Sequence, residues 1–97
     1  MVLTSTQKKQ LRALAHHLDP IVYVGQNGIT DALLQAAKDA LEAHELVKVK
    51  FVDFKSDRKE LTTKITEATG SELAGIIGNI AILYKQSDDP KKQKIAV

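Results

Sequence analysis

The chain has no cysteine and no tryptophan, and only one methionine, among its 97 residues. Without thiols there is no disulfide framework, no thiolate metal site and no cysteine nucleophile. Aromatic side chains make up 4% of the sequence, two Tyr and two Phe. No RNP-type aromatic motif is among them, so base stacking of the RRM kind is not expected. No apolar run approaches the roughly 18 residues that would span a bilayer. Leu3 is followed at once by Thr4-Ser5-Thr6-Gln7-Lys8-Lys9, so the N-terminus carries no secretory apolar segment. Charge of one sign is lacking too: 14 Lys+Arg against 12 Asp+Glu leave a net +2. Bulk charge therefore says little about partners, and any nucleic-acid signal must lie in how the charges are distributed. The 43% hydrophobic and 27% charged content is that of an ordinary soluble globular protein, at a length that suits one domain with one core. The expectation is a cytoplasmic protein with no membrane partner.

The stretch Gly25-Gln26-Asn27-Gly28 organises the reading. It follows a β-branched run, Ile21 to Val24, and opens into a helix start at Thr30-Asp31. A strand, a glycine-bounded loop and a helix N-terminus can cradle phosphate. Glycine lets the backbone approach a ligand, and the first free amides of the helix point outward with the positive end of the dipole behind them. The spacing is neither Walker A nor the dinucleotide fingerprint. A bare GxxG also reads as a plain tight turn, which is the commoner use of it.

Around that loop the elements follow by local rules. Thr4 with Gln7 has capping-box spacing, and Leu11, Leu14, Ala15 and Leu18 recur at the helical period as a buried stripe ending at Asp19-Pro20. Lys8, Arg12 and His16 form an i, i+4, i+8 row beside the stripe, with Lys9 close by; the row reads as a binding flank or as a solvated helix edge. A second helix is expected over 31–43, capped by Thr30, with Leu33, Leu34, Ala37, Ala40 and Leu41 inward. In the next strand Val47, Val49 and Phe51 alternate with Lys48 and Lys50, which predicts the lysines on the face away from the helices, towards water or towards RNA backbone. Ser56-Asp57 can cap a third helix with Leu61, Ile65 and Ala68 inward and Gly70 at its end. Lys55, Arg58 and Lys59 add positive charge at its start. Two strands joined by Gly78-Asn79 read as a hairpin. Residues 86–97 are polar and without periodicity, and are expected to be a mobile tail beyond a domain of residues 1–85.

The order α-β-α-β-α-β-β predicts an α/β fold: a single compact domain, its four-stranded mixed sheet carrying helices chiefly on one face. Chemistry is sparse. Adjacent His16 and His17 diverge on a helix and no HxxxH spacing exists, so no metal is expected. Asp39, Glu42 and Glu45 read as a solvated face, and Ser71 has no nucleophile elbow. No cofactor, no catalytic residue and no small-molecule substrate is expected.

Three segments are similar to the CRM (chloroplast RNA splicing and ribosome maturation) family. They are Leu3-Thr4-x-x-Gln7-x-x-x-Leu11-Arg12-x-x-Ala15-His16-x-Leu18-x-Pro20 with Val22-x-Val24-Gly25-x-x-Gly28-Ile29-Thr30, then His44 to Lys50, then Gly78-x-x-Ala81-Ile82-Leu83-Tyr84-Lys85. As a lone domain the chain resembles the bacterial YhbY-type members. The resemblance implies RNA binding, a fold like the C-terminal domain of bacterial translation initiation factor three, and a GxxG loop compared with that of KH domains. It implies ribosomal RNA of large-subunit precursors as partner for the bacterial members. Many members carry a basic residue inside the loop, where this chain has Gln26 and Asn27. The expected RNA-contacting set is Gly25, Gln26, Asn27, Gly28 and Thr30 with Lys8, Lys9, Arg12, Lys48 and Lys50, in a monomer without enzymatic activity. The rival readings are a protein-interaction module and a small phosphate-ligand or nucleotide-binding protein.

Overall fold

The computed structural model describes residues 2–95. Helix α1 (Ser5–Ala15) starts on a full capping box: Gln7 N–H donates to Thr4 Oγ1 at 3.1 Å, and Thr4 N–H donates to Gln7 Oε1 at 2.9 Å. Helix α2 (Asp31–His44) is capped by Thr30, whose Oγ1 accepts from Leu33 N–H at 3.0 Å. Helix α3 (Arg58–Thr69) differs from expectation at its start. Lys55–Asp57 is a 3-10 turn, and Asp57 makes no side-chain capping bond. Gly70 closes α3 at φ 69°, the left-handed geometry that favours glycine.

Four strands, β1 (Val22–Val24), β2 (Leu46–Phe51), β3 (Glu72–Ile77) and β4 (Ile80–Tyr84), form one sheet in the order β1-β2-β4-β3. β1 and β2 are parallel across the α2 crossover, and β4 is antiparallel to both of its neighbours. The hairpin strand β4 thus inserts between β2 and β3, which run the same way without touching.

The alternation in β2 sorts the layers. Val47, Val49 and Phe51 join Val22, Val24, Ala81 and Leu83 against Ala37 and Leu41 of α2 and Ile65 of α3. Lys48 and Lys50 lie on the opposite face, as expected. There α1 packs Leu11 and Ala15 against Leu46, Ala74, Ile82 and Tyr84. Two helices therefore share one face and the third takes the other. A register shift between Leu73 and Gly75 turns both Ala74 and Gly75 towards α1.

Three core assignments need correcting. Leu14 and Leu18 are 48% and 41% exposed, because the helix ends at Ala15 and the chain then crosses to the far sheet edge to begin β1. Ala68 is exposed. Thr62 and Thr69 are buried in its stead, their hydroxyls donating to the carbonyls of Arg58 (2.6 Å) and Ile65 (2.7 Å). Glu45 is no part of a solvated face: it is 1% exposed, while Asp39 and Glu42 remain exposed.

Glu45 ends α2 at φ 61°, and its carboxylate accepts the N–H groups of Ser87 (2.6 Å), Lys94 and Ile95 (3.3 Å). The segment expected as a free tail therefore packs back on the domain as far as residue 95, with Ile95 against the α1 cluster. Residue 1 of the expected domain and residues 96–97 of the expected tail lie outside the described residues.

Burial pushes the Glu45 carboxyl up. The three backbone N–H groups and the Lys94 ammonium together outweigh it and hold the group below its ordinary 4.5. As pH falls the unfolded chain takes up this proton first, so the stability linked to Glu45 is present above 4.5 and lost as pH falls through the folded value. Denaturant titrations at stepped pH should show this acid limb in the parent and a shallower one in Glu45→Gln; an equally steep limb would assign it to other carboxylates. Glu45→Ala strands the N–H groups and should cost on the order of 1–3 kcal/mol, with faster amide exchange at Ser87, Lys94 and Ile95.

Candidate nucleic-acid interface

The glycine loop leaves the end of β1, where Val24 C=O accepts the N–H groups of Val52 (2.9 Å) and Asp53 (3.1 Å). This ties the loop after β2 to the base of the glycine loop. Gly28 N–H donates to Gly25 C=O at 3.0 Å, closing a turn with Gln26 and Asn27 exposed at its tip. The turn is real, and it occupies one of the amides expected to hold phosphate. Thr30 is likewise engaged: its hydroxyl caps α2 and its carbonyl accepts from Leu34 N–H at 3.0 Å. Asp31 stands in the first turn of α2, so a carboxylate already complements the positive end of the dipole. The exposed tip at Gln26 and Asn27, rather than the helix end, is what this loop offers.

The two bounding glycines are not equivalent. Gly28 has φ 63°, and a Cβ there would lie 3.5 Å from Cε2 of Phe54. The Phe54 ring thus packs on the loop, brought there by a left-handed residue at φ 54° whose N–H donates to Asp53 Oδ1 at 2.8 Å. Gly25 is open, with nothing within 4 Å of an added Cβ. Lys55 follows Phe54 directly, so the loop has a cation next to its packing partner although none within it.

The basic residues are spread more widely than the helical row implied. Arg12 Nη1 donates to Ala74 C=O at 2.8 Å, and its stem lies flat on Gly75, where a Cβ would come within 2.7 Å of Arg12 Cδ. Lys48 Nζ donates to Leu18 C=O at 2.9 Å. Both partners are neutral carbonyls, so the positive charges are not cancelled. Lys50 is exposed beside Tyr23 in the β1–β2 ladder. Arg12 reaches β3 at one sheet edge, whereas the glycine loop follows β1 at the other, about 14 Å away at three inter-strand spacings of about 4.8 Å. Lys8, half-buried, and Lys9, exposed, lie one turn earlier on α1 than Arg12. Lys48 and Lys50 on β2 lie between.

Two residues at this face, Tyr23 and Ile77, were not singled out from the sequence. Tyr23 and Ile77 are 53% and 59% exposed, and His16 lines a hollow of about 100 Å³ with Arg12, Lys48, Ile77 and Ile80. The pairs Tyr23–Lys50, Lys50–Ile80 and Ile80–Ile77 make one continuous row across the sheet. Only the tyrosine carried a readable signal, as the aromatic in an otherwise β-branched strand. Elsewhere, an apolar hollow of about 410 Å³ opens between Leu14, Leu18, Ile21 and Ile95. Among the described residues no group of three or more His, Cys, Asp or Glu is placed to hold a metal ion, and no helix is long and apolar enough to cross a membrane.

Comparison with known proteins adds to this geometry. A protein of Pseudomonas aeruginosa, named as a probable RNA-binding protein, is 38% identical over 93 residues, covering 95% of this chain and 89% of that one. An RNA-binding protein of Haemophilus influenzae is 39% identical over 92 residues, covering 94% and 93%. The solution structure of a Staphylococcus aureus protein superposes with a TM-score of 0.81 at 39% identity, covering 98% of this chain and 100% of that one. The CRS1 / YhbY (CRM) domain model matches residues 3–85, from Leu3 in the α1 cluster to the residue after β4. The chain belongs to the CRS1 / YhbY (CRM) domain family.

Proposed function

We propose that this protein binds RNA without catalysing a reaction, contacting the backbone through the tip of the Gly25–Gly28 turn and through cations on the α1 face of the sheet. One observation carries the reading. Among the described residues Arg12 and Lys48 bond to neutral carbonyls, Lys50 is exposed, and the sheet rows of Lys48 and Lys50 hold no carboxylate. Such charge is available to phosphate. Relatives named as RNA-binding match over nearly the whole chain, which supports the same reading. By its resemblance to the YhbY-type members, the RNA is ribosomal, in large-subunit precursors; a cytoplasmic monomer is the accompanying reading. Crosslinking in cells should then recover large-subunit ribosomal RNA; recovery of another RNA class in its place would redirect the assignment.

The exposed Leu14 and Leu18 favour protein docking as a second reading. Salt separates the two. With about four to six phosphates contacted, the log–log slope of affinity against salt should be roughly −3 to −4 for single-stranded RNA. A flat titration would favour the protein contact. Lys9→Ala with Lys50→Ala, both exposed, should make the slope shallower without disturbing the fold. Arg12→Ala is a poorer probe, because it also removes packing on Gly75 and the bond to Ala74.

The loop is best tested at Gly25. It has room for a side chain, so Gly25→Asp adds a carboxylate beside the tip and should weaken RNA binding by about 1–3 kcal/mol in a folded protein. Gly28→Ala instead puts a side chain on left-handed backbone, and should destabilise the fold by about 1–2 kcal/mol in thermal or denaturant unfolding. Undiminished RNA affinity of Gly25→Asp would leave the turn a purely structural element.

A further inference from the structure

We propose that the uncovered sheet row Tyr23–Lys50–Ile80–Ile77 is a platform on which unpaired RNA bases stack, so that the RNA crossing it is single-stranded. The proposal rests on the RNA-binding reading above and names the class of RNA. Helix α1 covers the sheet rows of Leu46 and Tyr84 and of Lys48 and Ile82, but stops short of the next. In that next row Tyr23 is 53% and Ile77 59% exposed, whereas the other sheet aromatics, Phe51 and Tyr84, are both 0% exposed. The Tyr23 hydroxyl donates to Pro20 C=O at 2.9 Å, so the ring is held in place before any ligand arrives.

Position and charge both favour a nucleic acid as the occupant. The row begins two residues before the Gly25 turn and ends beside the hollow lined by Arg12 and His16. A strand held at both places has to pass over it. Lys50 sits between the ring and the two isoleucines, Lys48 is in the adjacent row, and neither row contains an acid. Cations interleaved with an aromatic and apolar floor are the elements by which single strands are bound: phosphates to the charges, bases to the ring faces. A duplex offers this row little, since its bases are paired and it presents phosphates and 2′-hydroxyls. The expectation against stacking of the RRM kind rested on the missing RNP motif and the few aromatics; this platform is of another kind and needs only one exposed ring.

The test uses the full chain and three probes: a short unstructured single-stranded RNA, the same strand with abasic positions, and its duplex. Tyr23→Ala should weaken binding of the single strand by about 5- to 150-fold, the range for one stacked base, with the salt slope unchanged because no phosphate contact is lost. Tyr23→Phe, which keeps the ring but loses its bond to Pro20, should lose far less affinity than Tyr23→Ala. The parent should prefer the intact strand to both the abasic strand and the duplex. Because the chain lacks tryptophan, Tyr23→Trp gives a single indole whose emission the intact strand should quench and the abasic strand should not. Equal affinity of parent and Tyr23→Ala, with Trp emission indifferent to bound RNA, would overturn the platform while leaving backbone binding intact. If Tyr23→Ala does not fold, the abasic comparison on the parent and the Trp emission decide. A parent that binds none of the three probes would overturn the RNA reading itself and assign the exposed row to a protein partner.

Discussion

The contact of Leu11 and Ala15 with Ala74, Ile82 and Tyr84 decides what the second face of the sheet can do. Burying a leucine contributes about 1.5–3 kcal/mol, and Leu11 is wholly buried, so this contact fixes α1 firmly over β4 and β3. The bulge at Ala74 and the bare Cα of Gly75 lower the sheet surface there enough for the Arg12 stem to lie across it. An α-helix is about 10–12 Å across with its side chains, narrower than four strands at about 4.8 Å spacing. A single helix on this face therefore leaves part of it bare, and the end left bare is the one nearest the glycine loop.

The two ends of β2 are handled oppositely. At its start, Glu45 gathers α2, β4 and the C-terminal segment: its carbonyl accepts Lys85 N–H at 2.8 Å and its carboxylate accepts the N–H groups of Ser87, Lys94 and Ile95. A buried carboxylate surrounded by backbone donors joins segments that share no apolar pattern. The Tyr84 hydroxyl is buried without a hydrogen-bond partner among the described residues, and burial first, then the Glu45 charge, push its phenol above the ordinary value. At the far end of β2, Val52, Phe54, Gln26 and Asn27 are exposed on loops fastened by Val24 and by the Phe54–Gly28 contact. Rigidity is concentrated at one end of the strand and accessible surface at the other.

What was legible in the sequence was local. The Thr4 and Thr30 caps, the Gly78-Asn79 hairpin and the facing of Val47, Val49 and Phe51 each depend on residues within a few positions of one another. Leu14 and Leu18 misled because a helical period says nothing about where a helix leaves its sheet. The C-terminal segment was unreadable for a different reason: Ser87 is held by a carboxylate 42 residues earlier, through a backbone N–H that every residue but proline has. The candidate site divides the same way. The Gly25–Gly28 turn was visible, but Phe54 on Gly28 was not. Arg12 was visible on its helix, yet strand order sets it over the edge opposite the loop.

That separation bears on how a loop without its own cation can take part in binding. A basic residue at the tip would be flexible, and fixing a long side chain on a ligand costs about 0.5–1.5 kcal/mol of ordering at the moment of binding. Arg12 and Lys48 are already oriented by Ala74 and Leu18, so their ordering is settled when the chain folds. A hydrogen bond to a neutral carbonyl orients a cation without cancelling its charge, which a carboxylate partner in the same place would do. The net charge of only +2 is then no obstacle, because what matters is the position of a few unpaired cations rather than the total. Gln26 and Asn27 can serve as hydrogen-bonding groups at the tip while oriented charge is supplied from β2 and α1. On this account the basic residues are placed by tertiary packing, and the proposed binding surface is assembled only once the second face of the sheet has been built.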